Sequence, residues 1–452
     1  MADTQGKAYA ILLAGGTGTR LWPVSRQLFP KQLVKFIGDD SLVQSTIKRL
    51  SPVLDLDCVR IVCGEQHFHE IARHMQDIGL QADGKVICEP SGRNTAPAIL
   101  LAVLNVLNSD RDAVICVFPA DHVIGEIERF HERLTAAIRL AGQGYVVTFG
   151  ITPHYPETGY GYVEGSQAIG DGALTLNRFV EKPDRKTAQQ YITAGNFFWN
   201  SGMFAFKASI MLEEFRTYQP ALLEKLSAIY DGTNSIDKAD YDQLPDISID
   251  YAIMEKTTRG VVLPSDFGWS DIGSWKSLYD FLPKDNDLNV IDGDVISNDT
   301  RGCFILGRDR LIATNHLENM VIVETPDSIF VSDIDHSRDV KTIVARLKAK
   351  GRKEYHQHRT VHFPWGSRTL LEQKNGYTVT RLLIYPSATL ETEVAPAACM
   401  HLIMVRGQAR VDGHGKAQSL SQGQNLTVSA LGAVGIENRS DEPIYLIQVQ
   451  IE

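Results

Sequence analysis

The first 150 residues alternate short apolar runs with helix-period segments, and nothing else in the chain constrains the fold as strongly. The apolar runs are "YAILLAG", "VRIVCG", "KVICEP", "AVICVFPAD" and "GYVVTFGI". Between several of them lie "EQHFHEIARHMQDIG", "NTAPAILLAVLNVLN" and "ERFHERLTAAIRLAG", with apolar residues at helical spacing. Strands apolar on both faces need cover on both faces, so the pattern predicts an α/β, Rossmann-like, mostly parallel sheet with helices on either side. Ligands of such sheets bind beyond the carboxyl ends of the strands, in the loops that follow the apolar runs.

The first of these loops reads "LLAGGTGTRLWPVSRQLFPK". Gly15, Gly16 and Gly18 let backbone N–H groups approach a ligand closely, with Thr19 beside them. Arg20 and Lys31 add two cations, and Pro23 and Pro30 stiffen the segment between them. A Walker loop would place Lys-Ser/Thr after the glycine, where Thr19 and Arg20 stand. A dinucleotide fingerprint would need a third glycine or alanine where Leu21 stands, which argues against a nicotinamide-dependent oxidoreductase. Backbone donors plus two cations suit a polyphosphate that loses a charged leaving group. Asp121, just after "AVICVF", falls at the expected carboxyl edge, where a carboxylate can hold a hard divalent cation. "RNTAP" opens a helix, so Asn94 and Thr95 offer either a cap or a contact to a base.

Further along, "LNRFVEKP" and "FWNSGMFAF" read as strands, and "DRKTAQQYITAG" as a helix capped by Asp184. From 286 to about 350, short apolar runs separated by Gly, Asn and Asp suggest short strands stacked in successive turns, closed by the basic helix "VKTIVARLKAKG". From about 355 the chain turns all-β. We therefore expect domains at 1–285, 286–352 and 353–452. A net charge of −10 argues against nucleic acid and anionic membranes as partners. No stretch approaches the length of a membrane span, and no leader is evident at the start. Six scattered cysteines, none in a Cys-x-x-Cys pair, read as reduced thiols of a cytoplasmic protein.

Taken in order, "LLAGGTGTRLWPVSRQLFPK", "EPSGRNTAPA", "FPADH", "ETGYGY", "FVEKP", "NSGMFAF" and "WSDIGSW" resemble the sugar-phosphate nucleotidyltransferases, and among them the mannose-1-phosphate guanylyltransferases. The resemblance spans roughly residues 8 to 350. It implies that GTP and mannose 1-phosphate give GDP-mannose and pyrophosphate, with Mg²⁺ held by Asp121 and Asp271. It puts Arg93, Asn94 and Thr95 near the nucleotide, Gly159, Glu181 and Asn200 against the sugar, and Lys182 on the sugar phosphate. An inactive paralogue would be expected to lose one of Arg20, Lys31, Asp121, Lys182 or Asp271, and all five are present. Another nucleotide or sugar 1-phosphate remains the alternative, because epimers differ only in hydroxyl hydrogen bonds.

Longer members of that family are fused to a cupin-like mannose-6-phosphate isomerase domain, and "FPWGSRTLLEQKNGYTVTRLLIYPSATL" and "MVRGQARV" resemble its strands. The metal-binding histidines of that domain are missing. The stretch "ETEVAPAACMHLIMVRG" keeps only His401, and Gly435 stands where a second histidine is expected. Glu391, Glu393 and His401 are the only candidates for a makeshift site. The expectation is a cupin fold without isomerase chemistry, a bifunctional enzyme being the alternative, in a homodimer whose contact lies in the 286–350 segment.

Overall fold

The computed structural model describes residues 7–16, 18–233, 236–394, 399–413, 416–428 and 432–451. The chain divides into two compact units, Met1–Leu21 with Pro30–Lys284, and Trp22–Phe29 with Asp285–Glu452. The second unit thus recruits eight residues from the middle of the glycine-rich signature, which a linear division of the sequence does not foresee.

Eleven strands belong to the first unit: β1 (Ala8–Leu13), β2 (Val59–Gly64), β3 (Val86–Glu89), β4 (Val114–Pro119), β5 (Val123–Ile124), β6 (Val146–Ile151), β7 (Tyr162–Gly170), β8 (Ala173–Val180), β9 (Phe197–Lys207), β10 (Gly260–Ser265) and β11 (Trp269–Ser270). Nine of them form one mixed sheet in the order β3-β2-β1-β4-β9-β6-β10-β8-β7. Strands β1 to β4 run parallel, so the loops after all four open on one edge. Strand β9 enters antiparallel between β4 and β6, bringing its early residues back to that edge. The short ribbon β5–β11 pairs Trp269 with Ile124 and Ser270 with Val123. By that pairing it carries Asp271 to the neighbourhood of Asp121, 150 positions earlier in the chain.

The helix Thr95–Leu107 is buried along most of its circumference, from Ala96 to Val103 and at Val106, because it lies between the sheet and the helices Ala208–Tyr218 and Pro220–Ile229. That placement explains an apolar pattern too continuous for a surface helix. Its cap is Asn94, at φ 65°, whose side chain accepts from the Thr95 N–H.

In the second unit, Val290–Asp292, Phe304–Leu306 and Met320–Thr325 pair in parallel, as do Val295–Arg301 and Ile312–Glu318. These are the stacked turns expected from the sequence, closed around Cys303, Ile305 and Ile322. A six-stranded and a four-stranded antiparallel sheet follow, with an apolar filling that includes Leu382, Met400, Leu402, Val434, Ile436 and Leu446. Trp22–Phe29 is fastened within this unit. Arg26, fully buried, donates to Asp327 Oδ2 and to the Gln357 carbonyl at 2.7 Å each, and to the Pro23 carbonyl at 3.1 Å. The N–H groups of Gln27 and Leu28 donate to the carbonyls of Tyr355 and His356.

Candidate active site

The loops after β1 to β4 enclose a cavity of about 360 Å³ lined in part by Gly15, Gly16, Glu89, Arg93, Asp121 and Asp250, all in the first unit. Gly18 has φ 52°, and a Cβ there would lie 2.6 Å from the Lys31 backbone nitrogen. Glycine at this position is therefore required both by conformation and by the close passage of the Lys31 segment. Thr17 lies outside the described residues. Thr19 and Arg20 are not part of the cavity lining; Arg20 is exposed, and no ion pair holds it among the described residues.

Lys31 is the joint of the site. It is 6% exposed, and its Nζ meets Asp121 Oδ2 at 2.8 Å while donating to the backbone carbonyls of Asp271 and Ile272. Burial works against ionisation of Asp121, but the Lys31 ammonium outweighs it and holds the carboxyl below its usual range. Asp271 accepts at Oδ1 from the Tyr160 hydroxyl (2.7 Å) and the Gly273 N–H (3.1 Å). A Cβ on Gly273 would stand 3.0 Å from Asp271 Oδ2, so the glycine keeps that oxygen accessible. Next to Asp121, burial lowers the His122 imidazole to about 4, and Trp269 Nε1 donates to its Nδ1 at 3.2 Å. The ring is neutral and fixed in one orientation.

Lys31 thus meets the Asp121 carboxylate and the Asp271 backbone, while the Asp271 carboxylate is held by Tyr160 and Gly273; carboxylates of this kind suit a divalent cation that takes most of its other ligands from phosphate and water. Among the described residues no three His, Cys, Asp or Glu side chains form a closed cage, and such a cation does not require one. Nucleotidyltransferases of this kind generally use a divalent metal, and Asp121 and Asp271 carry carboxylate oxygens of the type a hard cation takes.

The "RNT" residues are largely engaged by the protein itself. Arg93 pairs with Asp242 Oδ1 at 3.2 Å and donates to the Asp242 carbonyl; its buried Nε has no partner among the described residues. Asn94 caps its helix, and the Thr95 hydroxyl accepts from the Ile249 N–H at 2.8 Å. The glycines of "ETGYGY" make room first for carboxylates of this chain. The Gly159 N–H donates to Glu157 at 2.8 Å, and a Cβ at Gly161 would lie 2.6 Å from Glu181 Oε2. Glu181 pairs with Lys182, which sits at φ 49°. Asn200 donates to Asp250 at 3.0 Å and accepts from the Thr148 hydroxyl and the Gly202 N–H. Burial, with Glu181 nearby, lifts the Asp250 carboxyl to about 6.

Glu89, Tyr160, His122 and Asp250 escaped the sequence reading. Glu89, Tyr160 and His122 lay inside quoted motifs. The available signal was a charged residue closing an otherwise apolar strand, as Glu89 closes "VICE".

In the second unit, Met400, Leu402 and Met404 face the apolar interior, and His401 alternates to the other face of its strand, where it bonds Thr427 Oγ1 at 2.9 Å. Glu391 and Glu393 are exposed, and Gly435 lies between the inward Val434 and Ile436. The makeshift site of Glu391, Glu393 and His401 is not assembled. An imidazole at position 435 would not point inward, because the alternation set by its neighbours turns that position away from the core. Residues 395–398 of the same stretch lie outside the described residues.

A mixed sheet whose parallel strands end in a glycine loop, with a lysine set between two aspartates, has the architecture of a nucleotidyltransferase. A nucleotidyl transferase family model matches residues 9–287, a MannoseP isomerase/GMP-like β-helix domain matches 293–347, and a mannose-6-phosphate isomerase C-terminal domain matches 350–452. The chain is 40% identical to xanthan biosynthesis protein XanB of Xanthomonas campestris, over 97% of this chain and 94% of that one. It is 37% identical to a mannose-1-phosphate guanylyltransferase of Klebsiella pneumoniae, over 97% and 95%. A solved structure from Thermus thermophilus, described as a mannose-1-phosphate geranyltransferase, superimposes with a TM-score of 0.69 at 34% identity, over 76% of this chain and 99% of that one. The chain belongs to the mannose-1-phosphate guanylyltransferase family.

Proposed function

We propose that the protein transfers the guanylyl group of GTP to mannose 1-phosphate, forming GDP-mannose and releasing pyrophosphate. The observation that carries this reading is Lys31 placed between Asp121 and Asp271 at the carboxyl edge of the sheet, in a chain similar over nearly its full length to named guanylyltransferases. A phosphate oxygen of mannose 1-phosphate attacks the α-phosphorus in line. The bond from that phosphorus to the β-bridging oxygen breaks, and both electrons leave with pyrophosphate. Such transfer depends on positioning and charge stabilisation rather than on a protein nucleophile. Amides of Gly15, Gly16 and Gly18, with Thr19 and Arg20, hold the departing pyrophosphate. Lys31 neutralises charge on the transferred phosphate, and Lys182 does so on the attacking one. Gly159, Glu181 and Asn200, with Asp250, bound the sugar. Mg²⁺, when bound by Asp121 and Asp271, supplies further neutralisation of phosphate charge.

The second unit is read as a cupin fold that does not interconvert mannose and fructose 6-phosphates, supported by its apolar interior and the outward His401. The test is pyrophosphate release from GTP, ATP, UTP, dTTP and CTP against mannose, glucose and fucose 1-phosphates, with isomerase assayed on the same preparation. Turnover confined to GTP with mannose 1-phosphate, and no isomerase with any divalent metal, is expected. Turnover with another pair moves the specificity, and metal-stimulated isomerase activity overturns the reading of the second unit.

No helix among the described residues is long and apolar enough to cross a membrane. A cytoplasmic homodimer completes the reading. Ile296, Ile329 and Val331, which are 63%, 60% and 56% exposed on the stacked short strands, support that segment as the contact. Light scattering should give twice the chain mass, and a monomer at micromolar concentration would refute it.

A further inference from the structure

Asp121 lies in the short loop between β4 and β5, and a loop by itself does not fix the aim of a side chain. Lys31 meets its carboxylate at 2.8 Å. The peptide carbonyls on either side of it, those of Ala120 and His122, are reached by Thr46 and Arg49, at the end of the helix Leu42–Lys48. Arg49 Nη2 donates to the His122 carbonyl at 2.6 Å and also to the Thr46 hydroxyl. Thr46 is buried, and its Oγ1 lies 3.5 Å from the Ala120 carbonyl. His131 Nε2, from the helix Ile127–Gly142, donates to the Arg49 carbonyl at 2.7 Å and ties the backbone of the clamp to a second helix. All of these residues belong to the first unit.

Neutral donors would be enough to hold two carbonyls, yet a guanidinium stands here. Arg49 pairs with no carboxylate among the described residues, and its Nε is buried without a partner among them. Desolvating such a charge is costly, so its place in the fold calls for a reason beyond packing. Burial brings the guanidinium down to about 10, with the Asp121 charge acting in the opposite sense, so it stays charged at neutral pH. We propose that Arg49 is a positioning residue for the transfer, clamping the His122 carbonyl directly and the Ala120 carbonyl through Thr46, so that the Asp121 carboxylate meets Lys31 and the phosphates in one orientation. This rests on the guanylyl-transfer reading above and adds a residue to it. No hydrogen bond joins Arg49 to the carboxylate itself among the described residues, so its action runs through the peptide on either side and through its charge. No sequence motif points to it, because it lies 73 residues before the carbonyl it holds.

The test is kcat, and KM for GTP and for mannose 1-phosphate, in the full-length wild type, Arg49→Met, Arg49→Lys and Thr46→Val, with the thermal midpoint of each. Arg49→Met fills the space without charge or donors. It should lose about 10²-fold in kcat, the scale of a slightly misplaced reacting group, with both KM values within about threefold of wild type. Arg49→Lys keeps the charge and a donor for the His122 carbonyl and should return to within about tenfold of wild type. Thr46→Val removes only the link to Ala120 and should lose about fivefold in kcat. It keeps the test open should Arg49→Met fail to fold. A merely structural arginine would lower the thermal midpoint and leave kcat per folded enzyme unchanged, and that result overturns the proposal. So does an Arg49→Lys enzyme no better than Arg49→Met, a loss carried in KM alone, or a Thr46→Val enzyme with the wild-type kcat. Wild-type enzyme silent with GTP and mannose 1-phosphate overturns the transfer reading beneath it, and is distinguishable because it appears without any substitution.

Discussion

The Lys31→Ala enzyme is expected to lose about 10³-fold in kcat, the order seen when one preorganised charge is removed from a phosphoryl-transfer site. The lysine is 6% exposed and meets Asp121 Oδ2 at 2.8 Å, so no other side chain can slide into its place. Lys31→Gln separates charge from placement. Glutamine can still donate to the Asp271 and Ile272 carbonyls but brings no charge to a phosphate, so it should remain near the alanine value. Lys31→Arg should rescue little, because a planar guanidinium does not fit a pocket built around a single ammonium. Single-turnover kinetics at saturating GTP would report the chemical step, with circular dichroism confirming the fold. A Lys31→Gln enzyme within tenfold of wild type would reduce Lys31 to a structural bridge between Asp121 and the Asp271 loop.

Arg26→Ala should cost about 3–5 kcal/mol of stability at pH 7, the range for removing one partner of a buried pair. The guanidinium is fully buried, and the Asp327 side chain is 12% exposed. In the wild type, burial pushes the Asp327 carboxyl up, and Arg26 more than reverses it, leaving the carboxyl below its usual range. A depressed carboxylate contributes stability that is present above its unfolded pKa and lost as pH falls through the folded one. Without Arg26 the burial is opposed only by the Thr325 hydroxyl and by His358, so the carboxyl moves back up and protonation costs the variant less than it costs the wild type. The difference from wild type should therefore shrink as pH is lowered toward 4. Urea denaturation of the full chain at pH 7 and pH 4.5 measures this. An Arg26→Ala loss below about 1 kcal/mol, or one that grows in acid, would contradict the pairing as the source of stability.

How far the sequence foretold this site depends on the range of the interactions. The four parallel strands, the glycine loop and Asp121 were readable because each rests on a local pattern: an apolar run, a turn, and a polar residue at the strand's end. Asn94 and Asp184 were readable as caps for the same reason, and both cap helices in the structure. The cavity's finer chemistry was not. Glu89 acquires its character from Tyr241, 152 residues away, and Tyr160 from Asp271, 111 residues away. Asp250 lay in no motif and is defined by Asn200, 50 residues earlier. No periodicity encodes such pairs, and they exist only once β9 and the β5–β11 ribbon have turned back on the sheet. Gly435 shows the converse. Its place in the sequence suggested a lost ligand, whereas strand alternation turns it away from the core.

The recruitment of Trp22–Phe29 into the second unit sets the order in which the protein can be finished. Arg26 leaves the ribosome 301 residues before Asp327. At bacterial synthesis rates of roughly 10 residues per second, that is about half a minute during which the segment has only its own local hydrogen bonds, such as Arg26 to the Pro23 carbonyl. Strands β1 to β11 can all be made within that interval, while the chain between Arg20 and Lys31 waits for residues as late as Tyr355 and His356. A nascent or truncated chain that ends before these residues leaves Trp22–Phe29 without the Asp327, Tyr355, His356 and Gln357 partners that fasten it in the finished protein.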